Sequence, residues 1–199
     1  MSIDKDRLVA FTDAIIAIAS TIMVLELVNP HVPTIEGLAQ QWPIFLAYLN
    51  SFVMIYLVWY KHNNLFQKFE TVSMRLFYLN GIWLFFLTLV PFATAWIGEF
   101  LFSPIPECSY AVILFLWTLS FEMIDRQITK ENPGLERDYY HEPKIRAFNY
   151  ITFIIAMIVA FIEPILCLTI IFVISVINMI VISRKKVLMI EFSFKNQCL

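Results

Sequence analysis

The sequence predicts an all-α integral membrane protein with six transmembrane helices per subunit and both termini in the cytoplasm. Three observations carry that expectation. The 199-residue chain is 60% hydrophobic with a mean hydropathy of +0.74, against about half apolar for an ordinary soluble domain. Its apolar residues are gathered in six long blocks, and a span needs about 20 of them, with roughly 17–25 tolerated. All 14 lysines and arginines fall before the first block, in alternate connections, or after the last.

The first block runs from about 8 to 28 and is stopped by Asn29-Pro30 and Pro33. The second covers 43–60, with Pro43 suited to a first helical turn. The third covers 76–97 with Pro91 interrupting it, and the fourth covers 108–124. The fifth, 147–162, is short but almost purely aliphatic from Ile151 onward. Glu163-Pro164 turns the chain into the sixth, 165–183. With scarce glycine and no low-complexity linker, residues 1–199 read as a single membrane domain.

Charge then orients the blocks. Lys5 and Arg7 precede the first. Lys61, Lys68 and Arg75 lie between the second and third. Arg126, Lys130, Arg137, Lys144 and Arg146 lie between the fourth and fifth, and Arg184, Lys185, Lys186 and Lys195 follow the sixth. The other connections carry Glu36, Glu99, Glu107 and Glu163 but no basic residue. Six spans with cytoplasmic termini put all positive charge on one side, as the positive-inside rule requires, in a multi-pass protein of the cell membrane. No small-residue cleavage site follows the first block, so a removable signal peptide is not expected. The loop 126–146 reads as a solvated connector, with Pro133-Gly134 and Tyr139-Tyr140-His141 within it.

Several function classes lack the residues they need. The chain has no GxSxG, HExxH or Walker loop, and an enzyme is not expected. His31, His62 and His141 fall in or beside loops on different sides, and Cys108, Cys167 and Cys198 are far apart with no CxxC, so no metal site or cofactor is expected. The basic residues form no aromatic-interleaved stripe, and no nucleic-acid partner is expected.

The first block contains groups that lipid cannot satisfy: Asp13, Ser20 and Thr21, behind an opening Arg7. An aspartate at a helix centre costs roughly 2.5–3.5 kcal/mol on insertion scales. With Ile18 at zero and about 100° per residue, Leu25 falls near −20°, Ile22 near +40°, Thr21 near −60° and Ala14 near −40°, a stripe about 100° wide. Asp13 and Ser20 fall behind it, at about 220° and 200°, with Ala17 and Val24. Periodicity alone assigns such a stripe to lipid or another helix, and Ser and Thr to their own backbone or helix contacts. Asp13 needs donors, and Arg7, Trp59, His62, Asn63, Asn64, Asn80 and Trp83 are available toward the cytoplasmic side.

Arg7-x-x-x-Phe11-Thr12-Asp13, followed by Ala17-Ile18-Ala19, Thr21 and Val24-Leu25-Glu26, resembles the Arg-x-x-x-Phe-Ser-Asp first helix of the prokaryotic TMEM175-like potassium channels. Trp59-x-x-His62-x-x-Leu65-Phe66, Arg75-Leu76-x-x-Leu79-Asn80, Pro91-Phe92-x-Thr94 and Ala111-Val112 are similar to later family motifs, and the likeness runs to about Phe121. The resemblance implies a homotetramer in a lipid bilayer whose first helices line a central pore for potassium ions. It implies pore-facing roles for Ile18, Thr21, Ile22 and Leu25, with Ile18 as the apolar constriction and Thr21 as a polar ring. It assigns Arg7, Phe11, Thr12, Asp13, His62 and Asn80 to the network that positions the pore helix. An apolar neck of this kind predicts modest potassium selectivity and a gate that dewets when narrow. Glu26, at about +80°, is a candidate for concentrating cations at the outer mouth. The chain departs from the family at Thr12, where serine is usual, at Ala14 for a common glycine, at Ser20 for an apolar residue, and at Asn63 for a frequent second histidine. A secondary or proton-coupled transporter is the alternative, but no inverted repeat or recurrent Gly/Pro-broken helix is visible.

Overall fold

The computed structural model describes residues 3–135 and 142–197, with side chains described for all of these except 183 and 185–197. Arg137, Tyr139-Tyr140-His141 and Cys198 lie outside the described residues. Seven helices follow one another: α1 Lys5–Leu25, α2 Ile35–Ala39, α3 Trp42–Phe66, α4 Met74–Glu99, α5 Pro104–Glu131, α6 Pro143–Val159 and α7 Pro164–Gln197. The only strand-like pairing among the described residues is one isolated bridge between Ile3 and Val72.

Helix boundaries follow from local chemistry. Asp4 caps α1 by accepting from Arg7 N at 3.1 Å, and Ser73 caps α4 by accepting from Leu76 N at 3.1 Å. Prolines sit in the first turns of α3, α5 and α6, where their missing N–H costs nothing. The helices outrun the hydropathy blocks because hydropathy marks the bilayer edge, not the end of hydrogen bonding. Thus α3 continues through Lys61-His62-Asn63-Asn64 to Phe66. Pro91, expected to interrupt the third block, sits inside continuous α4. Spanning helices tolerate such a proline when neighbours re-satisfy the freed backbone.

Among the described residues, five helices are long and apolar enough to cross a membrane: α1, α3, α4, α5 and the Pro164–Ile182 part of α7. The fifth block forms α6, which at 17 residues spans about 25 Å, less than the roughly 30 Å of a hydrocarbon core.

Helix α4 is the hub. It packs on α1, α3 and α5, while α7 packs on α3, α5 and α6. Trp83 of α4 is fully buried and stacks on Trp117 of α5 with ring centroids 5.9 Å apart. Near the C-terminus of α4, Gly98 lets α3 approach closely: a Cβ there would lie 2.7 Å from the Ile44 side chain and 3.1 Å from its Cα.

Candidate pore-lining helix and its anchors

Helix α1 is divided lengthwise. Leu8, Thr12, Ile16, Ala19 and Met23, recurring every three or four residues, form the buried face against α4 and α3. The opposite face carries Arg7, Phe11, Ala14, Ile18, Thr21, Ile22 and Leu25, all exposed. Ile18 is 56% exposed and Leu25 77%. A single subunit therefore leaves its most apolar stripe uncovered along the length of its first helix.

The packed face is displaced from the sector expected behind the stripe. Ala17 and Val24 are exposed, and Asp13 and Ser20 lie at the boundary. Polarity separated the stripe from the remainder. Its partners on α4, Asn80 and Thr94, select which part of that remainder is buried.

Two hydrogen-bonded anchors hold the N-terminal half of α1. Asn80 Nδ2 donates to Thr12 Oγ1 at 2.8 Å, and Asn80 Oδ1 lies 3.0 Å from His62 Nε2. With the Asn80 amide committed as donor to Thr12, its carbonyl must accept, so His62 Nε2 carries the hydrogen. The His62 ring lies between Phe66 and Trp83, with centroids 4.0 and 4.7 Å away. Thr12, His62 and Asn80 are all fully buried. The second anchor is Asp13 Oδ1, which accepts from Trp59 Nε1 at 3.0 Å. Among the remaining candidate donors to Asp13, Trp83 stacks on His62 instead, and the exposed Arg7 forms no ion pair among the described residues. The structure thus gathers Thr12, His62 and Asn80 in one cluster and Asp13 with Trp59 in another, and leaves Arg7 and Phe11 on the exposed stripe.

The hydroxyls of the outer half are divided in the same way. Thr21 Oγ1 is within bonding distance of two carbonyls of its own helix, Ala17 O at 3.0 Å and Ile18 O at 2.9 Å. Its proton is spent on the backbone, but an oxygen lone pair remains outward and can meet a cation. Ser20 likewise donates to Ala17 O at 2.9 Å.

Two features were not singled out from the sequence. A buried hydroxyl chain ties the outer half together: Thr94 Oγ1 lies 2.7 Å from Ser51 Oγ and 3.7 Å from Met23 Sδ, and Ser51 Oγ lies 2.9 Å from Tyr110 OH. Toward the C-terminal end of α5, Glu122 accepts from Arg126 Nε at 2.7 Å and from Arg146 Nη1 at 2.9 Å, with Asp125 Oδ2 3.9 Å from Arg146. The Glu122/Arg126 spacing of four was the available signal for the second. Nothing in the sequence marked the first. Among the described residues no three His, Cys, Asp or Glu side chains converge on a metal position.

Residues 7–91 match the family described as TMEM175, endosomal/lysosomal potassium channel. A potassium channel of Chryseobacterium sp. (strain P1-3) is 32% identical over 163 residues, 80% of this chain and 84% of that protein. The chain belongs to the TMEM175 family. The crystal structure of a lysosomal potassium-selective channel TMEM175 homolog from Chamaesiphon minutus superposes with a TM-score of 0.75 at 26% identity, covering 88% of this chain and 96% of that one. An endosomal/lysosomal proton channel TMEM175 of Gallus gallus is 31% identical over 110 residues, 49% of this chain but 22% of that longer protein. The chain is therefore an all-helical, multi-pass membrane protein of a channel family. The family match covers the elements that carry both anchors of α1.

Proposed function

We propose that this protein is a potassium-permeable, modestly potassium-selective channel formed by four copies of the chain around their α1 helices. In this reading α6 also crosses the membrane as the fifth of six spans, both termini are cytoplasmic and the assembly sits in the cell membrane. The carrying observation is the exposure of Ile18, Thr21, Ile22 and Leu25 on a helix whose other face is fixed by Thr12 and Asp13. The names of the prokaryotic relatives support potassium as the permeant ion.

The mechanism follows from the stripe. Four Ile18 side chains meeting near an axis form a ring without hydrogen-bonding groups, and such a ring expels water when narrower than a hydrated ion. Opening needs a small outward displacement of the α1 helices. An ion at the ring sheds part of its water, and potassium releases water more readily than sodium. The outward lone pairs of Thr21 replace some of that water. A neck built this way discriminates less than a filter of backbone carbonyls. Arg7, Phe11, Thr12, Asp13, His62 and Asn80 are proposed to set the position of the pore helix, the last two through the Thr12 bond.

The vertebrate relative's name favours a second reading, proton permeation through the same pore. One experiment tests both. Bilayers containing the purified protein are placed under bi-ionic potassium/sodium conditions and then under a pH gradient. A reversal potential set by potassium supports the first reading, and one that follows the pH gradient supports the second. Flux that requires a coupling ion would instead identify a secondary transporter.

A further inference from the structure

Glu107 is the most deeply buried carboxyl group among the described residues. It lies one turn into α5, where its side chain is fully enclosed and neither carboxyl oxygen has a hydrogen-bond partner. On α7 the Cys167 thiol stands 3.5 Å from the Glu107 backbone carbonyl, and the Leu168 amide is close by. Neither completes a hydrogen bond to the carboxyl group. The other buried acids of α5 are compensated: Glu122 has Arg126 and Arg146, and Asp125 has Arg146. Glu107 has no ion pair among the described residues.

No basic side chain is placed to supply that compensation. The chain has no Lys or Arg at positions 8–60, 76–125 or 147–183. The nearest on α5 itself is Arg126, 19 residues further along, or about 28 Å. Helix α5 packs on α4, α6 and α7 and bonds α3 through Tyr110 and Ser51. The titratable groups that these elements bring toward the Glu107 end are Cys108 and Tyr110 on α5, Tyr48 on α3, Glu99 at the end of α4, Glu163 before α7 and Cys167 on α7. Helix α6 brings none between 151 and 159. Every one of these groups is neutral or negative in either protonation state. The desolvation cost of an unpaired carboxylate far exceeds that of the neutral acid, and a carboxyl group so placed keeps its proton.

We propose that Glu107 is a proton-binding site that locks α5 to α7: it carries its proton while the two helices are packed and releases it only when their contact opens to water. On opening, the proton passes to bulk water and the carboxylate is hydrated. On closing, one proton is taken back. Alkaline pH therefore loosens the α5–α7 contact and acid pH tightens it. In the unfolded chain the carboxyl group ionises near its ordinary value of about 4.3. Above that pH the packed state holds one more proton than the unfolded state, so stability falls as pH rises, by up to about tenfold in the folding constant per pH unit, until the packed form ionises as well. The site is independent of which ion the protein conducts.

The test compares the full chain with Glu107→Gln, whose side chain has the shape of the neutral acid and cannot ionise. Infrared spectra of the two proteins in lipid at neutral pH should differ by the C=O stretch of a neutral carboxylic acid, present in the parent and missing from the variant. Reversible unfolding in mixed micelles supplies the second readout. Between about pH 5 and about pH 7 the ratio of the parent's folding constant to the variant's should fall at least about tenfold. A parent spectrum without the neutral-acid band at Glu107, or a ratio that does not change with pH, overturns the proposal. Glu107→Leu takes the place of Glu107→Gln in both measurements if the glutamine variant does not fold. Failure of both uncharged side chains to fold also overturns it, because an uncharged group is what the packed state is proposed to require.

Discussion

Trp59 Nε1 donates to Asp13 Oδ1 at 3.0 Å and so joins the carboxylate of α1 to α3 across 46 positions of sequence. The bond is half-buried, and its energy is that of a polar contact inside a membrane bundle, about 0.6 kcal/mol on average and up to about 1.7. A double-mutant cycle of Trp59→Phe and Asp13→Ala should return a coupling of about 1 kcal/mol in reversible unfolding from mixed micelles. Strictly additive losses would show that the contact is geometric and contributes no stability.

Asn80 is asked to do more, because it both donates to Thr12 and accepts from His62 in a fully buried place. Asn80→Leu removes both partners at once and strands two buried polar groups, at about 1–3 kcal/mol each. The expected loss is about 2–6 kcal/mol, larger than for Trp59→Phe. Equal losses for the two variants would contradict this ranking.

Ile18 and Thr21 test the proposed pore. Ile18→Asn introduces hydrogen-bonding groups into the apolar ring, so current should rise and the bi-ionic reversal potential should move toward zero. Thr21→Val keeps the shape but removes the oxygen. A drop in potassium preference is expected, and an unchanged reversal potential would assign the Thr21 hydroxyl to its own helix backbone alone.

Two glycines of α4 should respond in opposite directions. Gly98→Ala drives a methyl into Ile44, including its backbone, and overpacking of this kind costs about 1–3 kcal/mol. Gly81→Ala meets open space and gains helix propensity, up to about 1 kcal/mol by the scale for water. Thermal denaturation of the two variants beside the parent protein checks the contrast. Destabilisation by both would mean that Gly81 is closed over in the assembled protein.

Arg146, near the start of α6, ties the α5–α6 pair together by reaching Glu122 and Asp125, both buried. Arg146→Ala leaves those carboxylates with less compensation. Removing one partner of a buried pair costs about 3–5 kcal/mol, and the neighbouring Arg126 on Glu122 should hold the loss to the lower end of that range. Limited proteolysis between α5 and α6 should accelerate in step with the loss.

Much of this architecture is legible in the sequence because membrane helices are announced by hydropathy. The division of α1 was also visible, since Ile18, Thr21, Ile22 and Leu25 share one side of any α-helix. The partners were less legible. Asp13 required a donor, yet the candidates differed only in tertiary placement, and the indole of Trp59 is the one that reaches it. Thr94, Ser51 and Tyr110 pair across distant helices, with no spacing rule to bring them together. Helix ends were misjudged where polar residues are buried by protein, as at His62 on the last turns of α3.

The foot of α1 is fastened more firmly than its top. Lys5 Nζ donates to Phe69 O at 2.8 Å and reaches Phe66 O at 3.4 Å, the closing carbonyl of α3, while Ile3 bridges Val72. At the other end the helix runs out at Leu25, most of whose surface is bare. It is a lever with its fulcrum at the N-terminal end. Ile18 stands about 20 Å above Lys5 and Leu25 about 30 Å, so a tilt of about 5° carries the first sideways by nearly 2 Å and the second by more than 2.5 Å. Displacement grows with height along α1, and Leu25 travels furthest.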